Sequence, residues 1–192
     1  MLHFTKIGEN IDTSRILAEL AKAPELWHAD RSRQRKVRCQ RNTLNIFLRA
    51  PRKPLPPGAK NANDVHESRI APAARHFPSA LRFCESVAEN SGGEIGRATL
   101  VSLAPNAEVF PHIDTGAYYR IRDRYHLVMQ SRQGSPLTAG NETAVMRPGE
   151  LWAFDNKVTH SAYNRSAEPR IHLIFDVLPQ AGCGLHVYPP ES

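Results

Sequence analysis

A chain of 192 residues with 41% hydrophobic and 7% aromatic side chains has the make-up of one soluble globular domain with a core, and is too short for two ordinary ones. It holds no apolar run long enough to span a bilayer, and its opening MLHFTKIGENIDTS lacks the basic and apolar regions of a secretory signal. The formal charge of +6 concentrates in RSRQRKVRCQR (31–41) and PRK (51–53) without interleaved aromatics, which favours a solvated basic edge over a nucleic-acid surface.

In chain order, the first expected element is a helix. Asp12 or Thr13 can cap it, and Ile16, Leu17, Leu20 and Ala21 recur at helical spacing. TLNIFLRA (43–50) reads as a strand, and APRKPLPPGAKN (50–61), with four prolines and a glycine, as a loop that cannot continue a sheet. After Pro78, SALRFCESVAEN (79–90) is a second helix with Leu81, Cys84 and Val87/Ala88 on one stripe, stopped by Ser91-Gly92-Gly93. From Ile95 the pattern turns to short strands: IGRATLVSLA, EVFPHID, RYHLVMQS, ETAVM, ELWAFD, VTHSAYN and RIHLIFDV, separated by Pro, Gly and Asn turns. The expected fold is therefore mainly β, a jelly-roll or cupin-like barrel (a double-stranded β-helix) with N-terminal helices packed outside. Residues 1–192 read as a single domain: 1–94 a supporting region, 95–178 the core, and 179–192 a tail. The widely spaced Cys39, Cys84 and Cys183 form neither a disulfide framework nor a metal clip, and fit a reducing cytoplasm.

Residues two apart in a strand point the same way. His112 and Asp114 thus share a face, as do Arg124 and His126, and Arg170 and His172; a small barrel has one inside on which such faces converge. Two histidines and one carboxylate on one face of an octahedral ion leave three positions open, the ligand set of non-haem Fe(II) oxygenases. His112, Asp114 and His160 are the candidate triad, whereas the second His-x-Asp, His28-Ala29-Asp30, lies in a polar segment and is expected to be chance. An iron site needs a two-electron partner to use O2, and Arg170 has the fork to bind an organic acid's far carboxylate.

The run GNETAVMRPGELWAFDNKVTHSAYNRSAEPRIHLIFDV resembles the aspartyl/asparaginyl β-hydroxylase family of 2-oxoglutarate oxygenases. The resemblance is carried by Asn141-Glu142-Thr143, Gly149, Phe154-Asp155, His160 with Arg170 ten residues on, and Asp176-Val177, together with RYHL (124–127) and FPH (110–112). It covers about residues 95–178, and VHE (65–67) is similar to bacterial proline cis-hydroxylases of the same superfamily. It implies Fe(II) at His112 and His160, completed here by Asp114, and 2-oxoglutarate at Arg170, with His126 and Arg124 near the keto-acid end. It also implies hydroxylation by O2 of an amino acid, free or peptidyl, with succinate and CO2 as co-products. Related halogenases carry a small residue in place of the carboxylate, so Asp114 makes hydroxylation the expected outcome. A serine that helps hold the far carboxylate in relatives has no equivalent in register, Ser102 being one residue off and so on the opposite face. The extra TGAYYRIRD after Asp114 is expected near the mouth. Polar residues His66, Glu67, Arg69, Tyr118, Tyr119, Arg120 and Arg122 are candidate substrate contacts on loops. Two rivals stay open: a non-redox, cupin-like hydrolase or isomerase with a metal on His112, His126 and His160, and a metal-free module for an anionic partner.

Overall fold

The computed structural model describes residues 3–180, so Cys183 and the expected tail beyond residue 180 lie outside the described residues. The elements are β1 (Phe4–Gly8), α1 (Ser14–Lys22), α2 (Ser32–Lys36), β2 (Thr43–Pro51), β3 (Ser68–Ile70), α3 (Pro78–Asn90), β4 (Gly93–Leu103), β5 (Ala107–His112), α4 (Ala117–Arg120), β6 (Asp123–Gln130), β7 (Pro136–Ala139), β8 (Glu142–Val145), β9 (Leu151–Phe154), β10 (His160–Asn164) and β11 (Arg170–Pro179). They form a seven-stranded sheet, β1-β9-β6-β11-β4-β2-β3, and a four-stranded sheet, β5-β10-β7-β8, antiparallel throughout. This is the expected jelly roll, with α1 and α3 on its outside.

The large sheet is buried on both faces, and β11 shows how its sequence serves both. Leu173, Phe175 and Val177 join Ala98 and Leu100 of β4, Tyr125 and Leu127 of β6, and the helices in one core. Arg170, His172, Ile174 and Asp176 alternate with them and line the interior. In α3 the residues against the sheet are Ala80, Cys84 and Ala88, at a spacing of four and small enough for close approach. Pro78 occupies the first turn, where its missing N–H costs nothing, and the next N–H, of Ser79, donates to Glu19 Oε1 of α1 at 2.9 Å. A second core lies between the sheets around Phe4, Val128, Met146, Trp152 and Phe154. Among the described residues no helix is long and apolar enough to cross a membrane.

Three strands carry too little sequence signal to be expected: β1 buries only Phe4, β3 has three residues, and β7 has four and begins with proline. The expected loop at 50–61 starts late. β2 runs on through Ala50 and Pro51, which pair with Arg69 and Ser68 of the edge strand β3, a strand-end position where proline is tolerated. TGAYYRIRD is not an open loop at the mouth: it folds inward as α4, with Tyr118 fully buried and its hydroxyl accepting from Arg97 N–H at 2.6 Å.

Gly116, at φ +115°, makes that turn, and a Cβ there would lie 2.7 Å from Asn63 Cβ and 2.8 Å from Asn63 O. Gly58, at φ +86°, has nothing within 4 Å. Gly58→Ala should therefore cost only backbone strain, about 1–3 kcal/mol, and Gly116→Ala clearly more. Urea unfolding midpoints measure the difference, and equal losses would mean the Asn63 contact yields freely.

Candidate active site

The register of the small sheet sets His160 of β10 directly opposite His112 of β5, with ring centroids 4.2 Å apart. Each ring turns its Nδ1 to a carbonyl two residues back, His112 to Phe110 O at 2.8 Å and His160 to Val158 O at 3.0 Å. Both imidazoles therefore carry their proton on Nδ1 and offer the Nε2 lone pair inward. Asp114 follows, its backbone N–H held by Asn156 O at 3.0 Å. Its Oδ1 lies 4.0 Å from His112 Nε2 and its Oδ2 3.9 Å from His160 Nε2. Among the described residues, these three form a group whose ligand atoms all fall within 4.8 Å of one another. Burial pushes the His160 pKa down to about 4, so this ring is neutral at pH 7, the form a metal requires.

The carboxylate is held by a neighbour assigned a different role from sequence. Arg124 donates from Nη1 to Asp114 Oδ2, and from Nε and Nη2 to Asp176 Oδ1 and Oδ2 at 2.8 and 3.1 Å. Arg124, expected near the keto-acid end of a co-substrate, lines the cavity with its donors taken by two carboxylates, because β11 pairs Asp176 directly with it. Asn156 Nδ2 also donates to Asp114 Oδ2, at 3.0 Å. Burial raises the Asp114 pKa, but the charge of Arg124, the two imidazoles and the Asn156 bond outweigh it, leaving the acid below its ordinary value.

Across a cavity of about 440 Å³ stands a different arrangement. Arg170 is 7% exposed and, unlike Arg124, has no carboxylate partner among the described residues; its Nε and Nη2 make no hydrogen bond. Burial lowers its pKa to about 10, so it is still a cation at pH 7. His126 and His172 lie beside it, buried, with Nδ1 atoms 3.2 Å apart and both Nε2 atoms unpartnered. A desolvated guanidinium with a free fork requires an anion, and a carboxylate fits its geometry. His126 thus pairs with His172, on the side of that pair nearer Phe154, and does not join the His112–Asp114–His160 group.

None of the candidate substrate contacts His66, Glu67, Arg69, Tyr118 and Arg122 lines this cavity. His66, Tyr118 and Arg122 are packed together, Arg122 Nη1 donating to Tyr118 O at 3.0 Å and lying 3.1 Å from His66 Nδ1. Glu67 pairs with Arg52 and Arg69 on the exposed edge. Arg120 is exposed, whereas Tyr119 does face the cavity. The outer wall comes instead from the basic stretch expected to be merely solvated, through Arg33, Lys36, Val37 and Cys39, with Phe47 and Lys53 from around β2. Asp176 was marked only as part of Asp176-Val177, with no role attached, and Asn156 had no motif to mark it. His28 and Asp30 are exposed, and Asp30 accepts from Ser32 N–H in a local turn. Ser102 pairs with Ile171, off the interior face, as its register implied.

The family model for aspartyl/asparaginyl beta-hydroxylases matches residues 18–179. The chain belongs to this family. The match reaches well upstream of residue 95 and so includes the outer wall of the cavity. Among curated proteins, the L-proline cis-4-hydroxylase of Rhizobium meliloti (strain 1021) is 34% identical over 116 residues, 59% of this chain and 41% of its own length. The L-proline cis-3-hydroxylase 2 of Streptomyces sp is 32% identical over 118 residues, 59% of this chain and 40% of that one. The match thus spans about two-fifths of these relatives. Among solved structures, a 2OG-Fe(II) oxygenase family oxidoreductase from Burkholderia pseudomallei superposes with a TM-score of 0.55 at 10% identity, covering 91% of this chain and 95% of that one. A Pseudomonas putida prolyl-4-hydroxylase superposes at 0.52 and 15% identity, covering 93% and 94%. At such identities these two matches establish the shared fold.

Proposed function

We propose that the protein is an Fe(II)- and 2-oxoglutarate-dependent dioxygenase that hydroxylates an unactivated C–H bond of an amino acid, free or peptidyl. The observation that carries this is the pairing of two complementary sites across one cavity: two imidazoles and a carboxylate on one side, an unpartnered buried arginine on the other. The donor set fits a divalent cation, with one negative charge and two neutral nitrogens and room for further ligands. The guanidinium fork fits the far carboxylate of 2-oxoglutarate. When bound, the metal and co-substrate supply the oxidation: O2 gives one oxygen atom to succinate and one to the product, with release of CO2.

The chain's own residues do the rest. Phe110 O and Val158 O keep His112 and His160 in the tautomer that presents Nε2. Arg124 and Asn156 hold Asp114 by Oδ2, which keeps it ionised and steers Oδ1 inward. Arg170 fixes the co-substrate at a set distance from the triad, and Phe154, in contact with both His126 and His160, keeps the space between them dry. The cationic outer wall at Arg33, Lys36 and Lys53 is suited to a substrate carboxylate. Both curated relatives are named for L-proline, so proline heads the substrate panel, followed by other amino acids and Asp-, Asn- and Pro-containing peptides. We also take residues 1–94 to belong to the same functional unit as the core, since β2 and the 31–41 stretch wall the cavity, and place the protein in a reducing cytoplasm, which its free Cys39 and Cys84 suit.

Anaerobic addition of Fe(II) and 2-oxoglutarate should give a weak visible charge-transfer band, absent in His160→Ala. No band in the wild-type protein refutes the proposal. Asp114→Ala should lower substrate-dependent succinate formation by more than the ~10–100-fold typical of losing a residue that merely supports a metal ligand. Near-full turnover would remove Asp114 from the triad.

A further inference from the structure

We propose that His172 is the second donor to the co-substrate's far carboxylate, its Nε2–H completing the anion site that Arg170 begins, and that His126 fixes its tautomer. The inference rests on the oxygenase reading above and concerns how that site is finished where no serine stands in register.

Three facts place the donor. First, His172 follows Arg170 by two residues on β11, roughly 7 Å along one face of the strand, and both side chains line the same cavity. Second, at 2% exposure its Nε2 has no partner, and neither have Arg170 Nε and Nη2. The two free guanidinium nitrogens form one fork, which takes both oxygens of a carboxylate and leaves each with a lone pair for another donor. Third, the proton count on the histidine pair is constrained. The Nδ1 atoms lie 3.2 Å apart with the rings at 87°, so one Nδ1 carries hydrogen and the other accepts it. A neutral imidazole has one N–H, so the accepting ring must carry its proton on Nε2, facing the cavity.

The surroundings decide which ring that is. His126 packs edge-on against Phe154, which also touches His160, and so lies toward the triad. His172 shares its strand and face with Arg170. With His126 Nδ1–H donating to His172 Nδ1, the Nε2–H falls on the residue beside the arginine, where an anion needs it. The opposite arrangement would turn a lone pair toward that anion.

Asparagine reproduces the Nδ1 side of histidine and glutamine the Nε2 side, so the two substitutions separate the roles. Calorimetric titration of Mn(II)-loaded protein without oxygen compares 2-oxoglutarate with 2-oxobutyrate, which has the same keto-acid end and no far carboxylate. His172→Asn should weaken 2-oxoglutarate about tenfold or more, the size of a lost hydrogen bond to a charged group, and leave 2-oxobutyrate unchanged. His172→Gln should recover most of that loss. The proposal is overturned if His172→Asn binds 2-oxoglutarate as the wild type does, or weakens both acids alike. Should the variant not fold, the ¹⁵N resonance of His172 Nε2 in the Zn(II)-loaded wild type decides: it should move on adding 2-oxoglutarate and not on adding 2-oxobutyrate, and the reverse or no movement sinks the idea. Wild-type protein that binds neither acid would refute the oxygenase reading itself, and this one with it.

Discussion

Arg124→Met should cost the fold about 3–5 kcal/mol, whereas Arg170→Met should leave stability unchanged or raise it. Arg170 is buried and the Arg124 side chain only 11% exposed, both line one cavity and both sit on inner strands, so their opposite signs follow from their partners. Arg124 lies between Asp114 and Asp176, and burial, which opposes its charge, is outweighed first by Asp176 and then by Asp114. Removing it strands two carboxylates beside each other, Asp176 at 2% exposure, without the one guanidinium bonded to both. Lysine does not repair this, because one ammonium cannot reach three oxygens on two groups. Arg170 has no such partner, and burial alone depresses its pKa. A methionine of similar reach relieves that desolvation in the ligand-free protein.

Both variants should lose turnover by different routes. Arg124→Met should weaken Fe(II) or Co(II) binding by roughly 10–100-fold, as loss of a residue supporting a ligand does. Arg170→Met should keep its metal and lose 2-oxoglutarate. Urea unfolding of the metal-free protein at pH 7, with a metal titration of each variant, measures both. Wild-type stability in Arg124→Met would show that the clamp bears no structural load, and a comparable loss in Arg170→Met would show that Arg170 has a partner.

The contrast also marks how far the sequence could be read. A strand's period of two set the faces of His112 and Arg170 without knowledge of their neighbours, whereas Asp114, just past the end of β5, and His160, at the start of β10, stood out by their motif spacing. Arg124 obeys the same rule, and its face was right. Its partner was not legible, because pairing Arg124 with Asp176 needs the register of β6 on β11, which no local pattern supplies. His126 and His172 likewise meet diagonally across that pair. His66, Glu67, Arg69, Tyr118 and Arg122 lie off the cavity for a different reason. Polar loop residues such as Tyr118 and Arg122 can satisfy each other and turn inward, whereas the basic 31–41 stretch is brought to the cavity by contacts between β2, β5 and the turns before them. The core strands and both long helices showed in their periodicity, and β1, β3 and β7 are too short for any periodicity to develop.

Acid should unfold the metal-free protein in a window set by histidines rather than carboxylates. His160 has a folded pKa of about 4, depressed chiefly by burial, against about 6.5 in the unfolded chain. Between those values the unfolded chain binds a proton that the folded one refuses, so stability is complete above pH 6.5 and lost as pH falls toward 4. That group alone accounts for about 3 kcal/mol over the window. His126 and His172 are displaced in the same direction, well below the ordinary value, by burial and then by Arg170. Both therefore add to the loss in the same direction of pH, against the ~5–15 kcal/mol that holds a domain together. Asp114, whose pKa is lowered, acts elsewhere: its contribution is present above about 3.9 and fades only below it. Urea midpoints at pH 7.5, 6.5, 5.5 and 4.5 should therefore fall steeply over the last three. Replacing His126 and His172 together by phenylalanine should flatten that limb. Bound metal, which needs the Nε2 lone pairs of His112 and His160, should push the limb to lower pH. A midpoint unchanged between pH 7.5 and 5 would mean that these imidazoles are reached by water, and that the dry interior the chemistry requires does not exist.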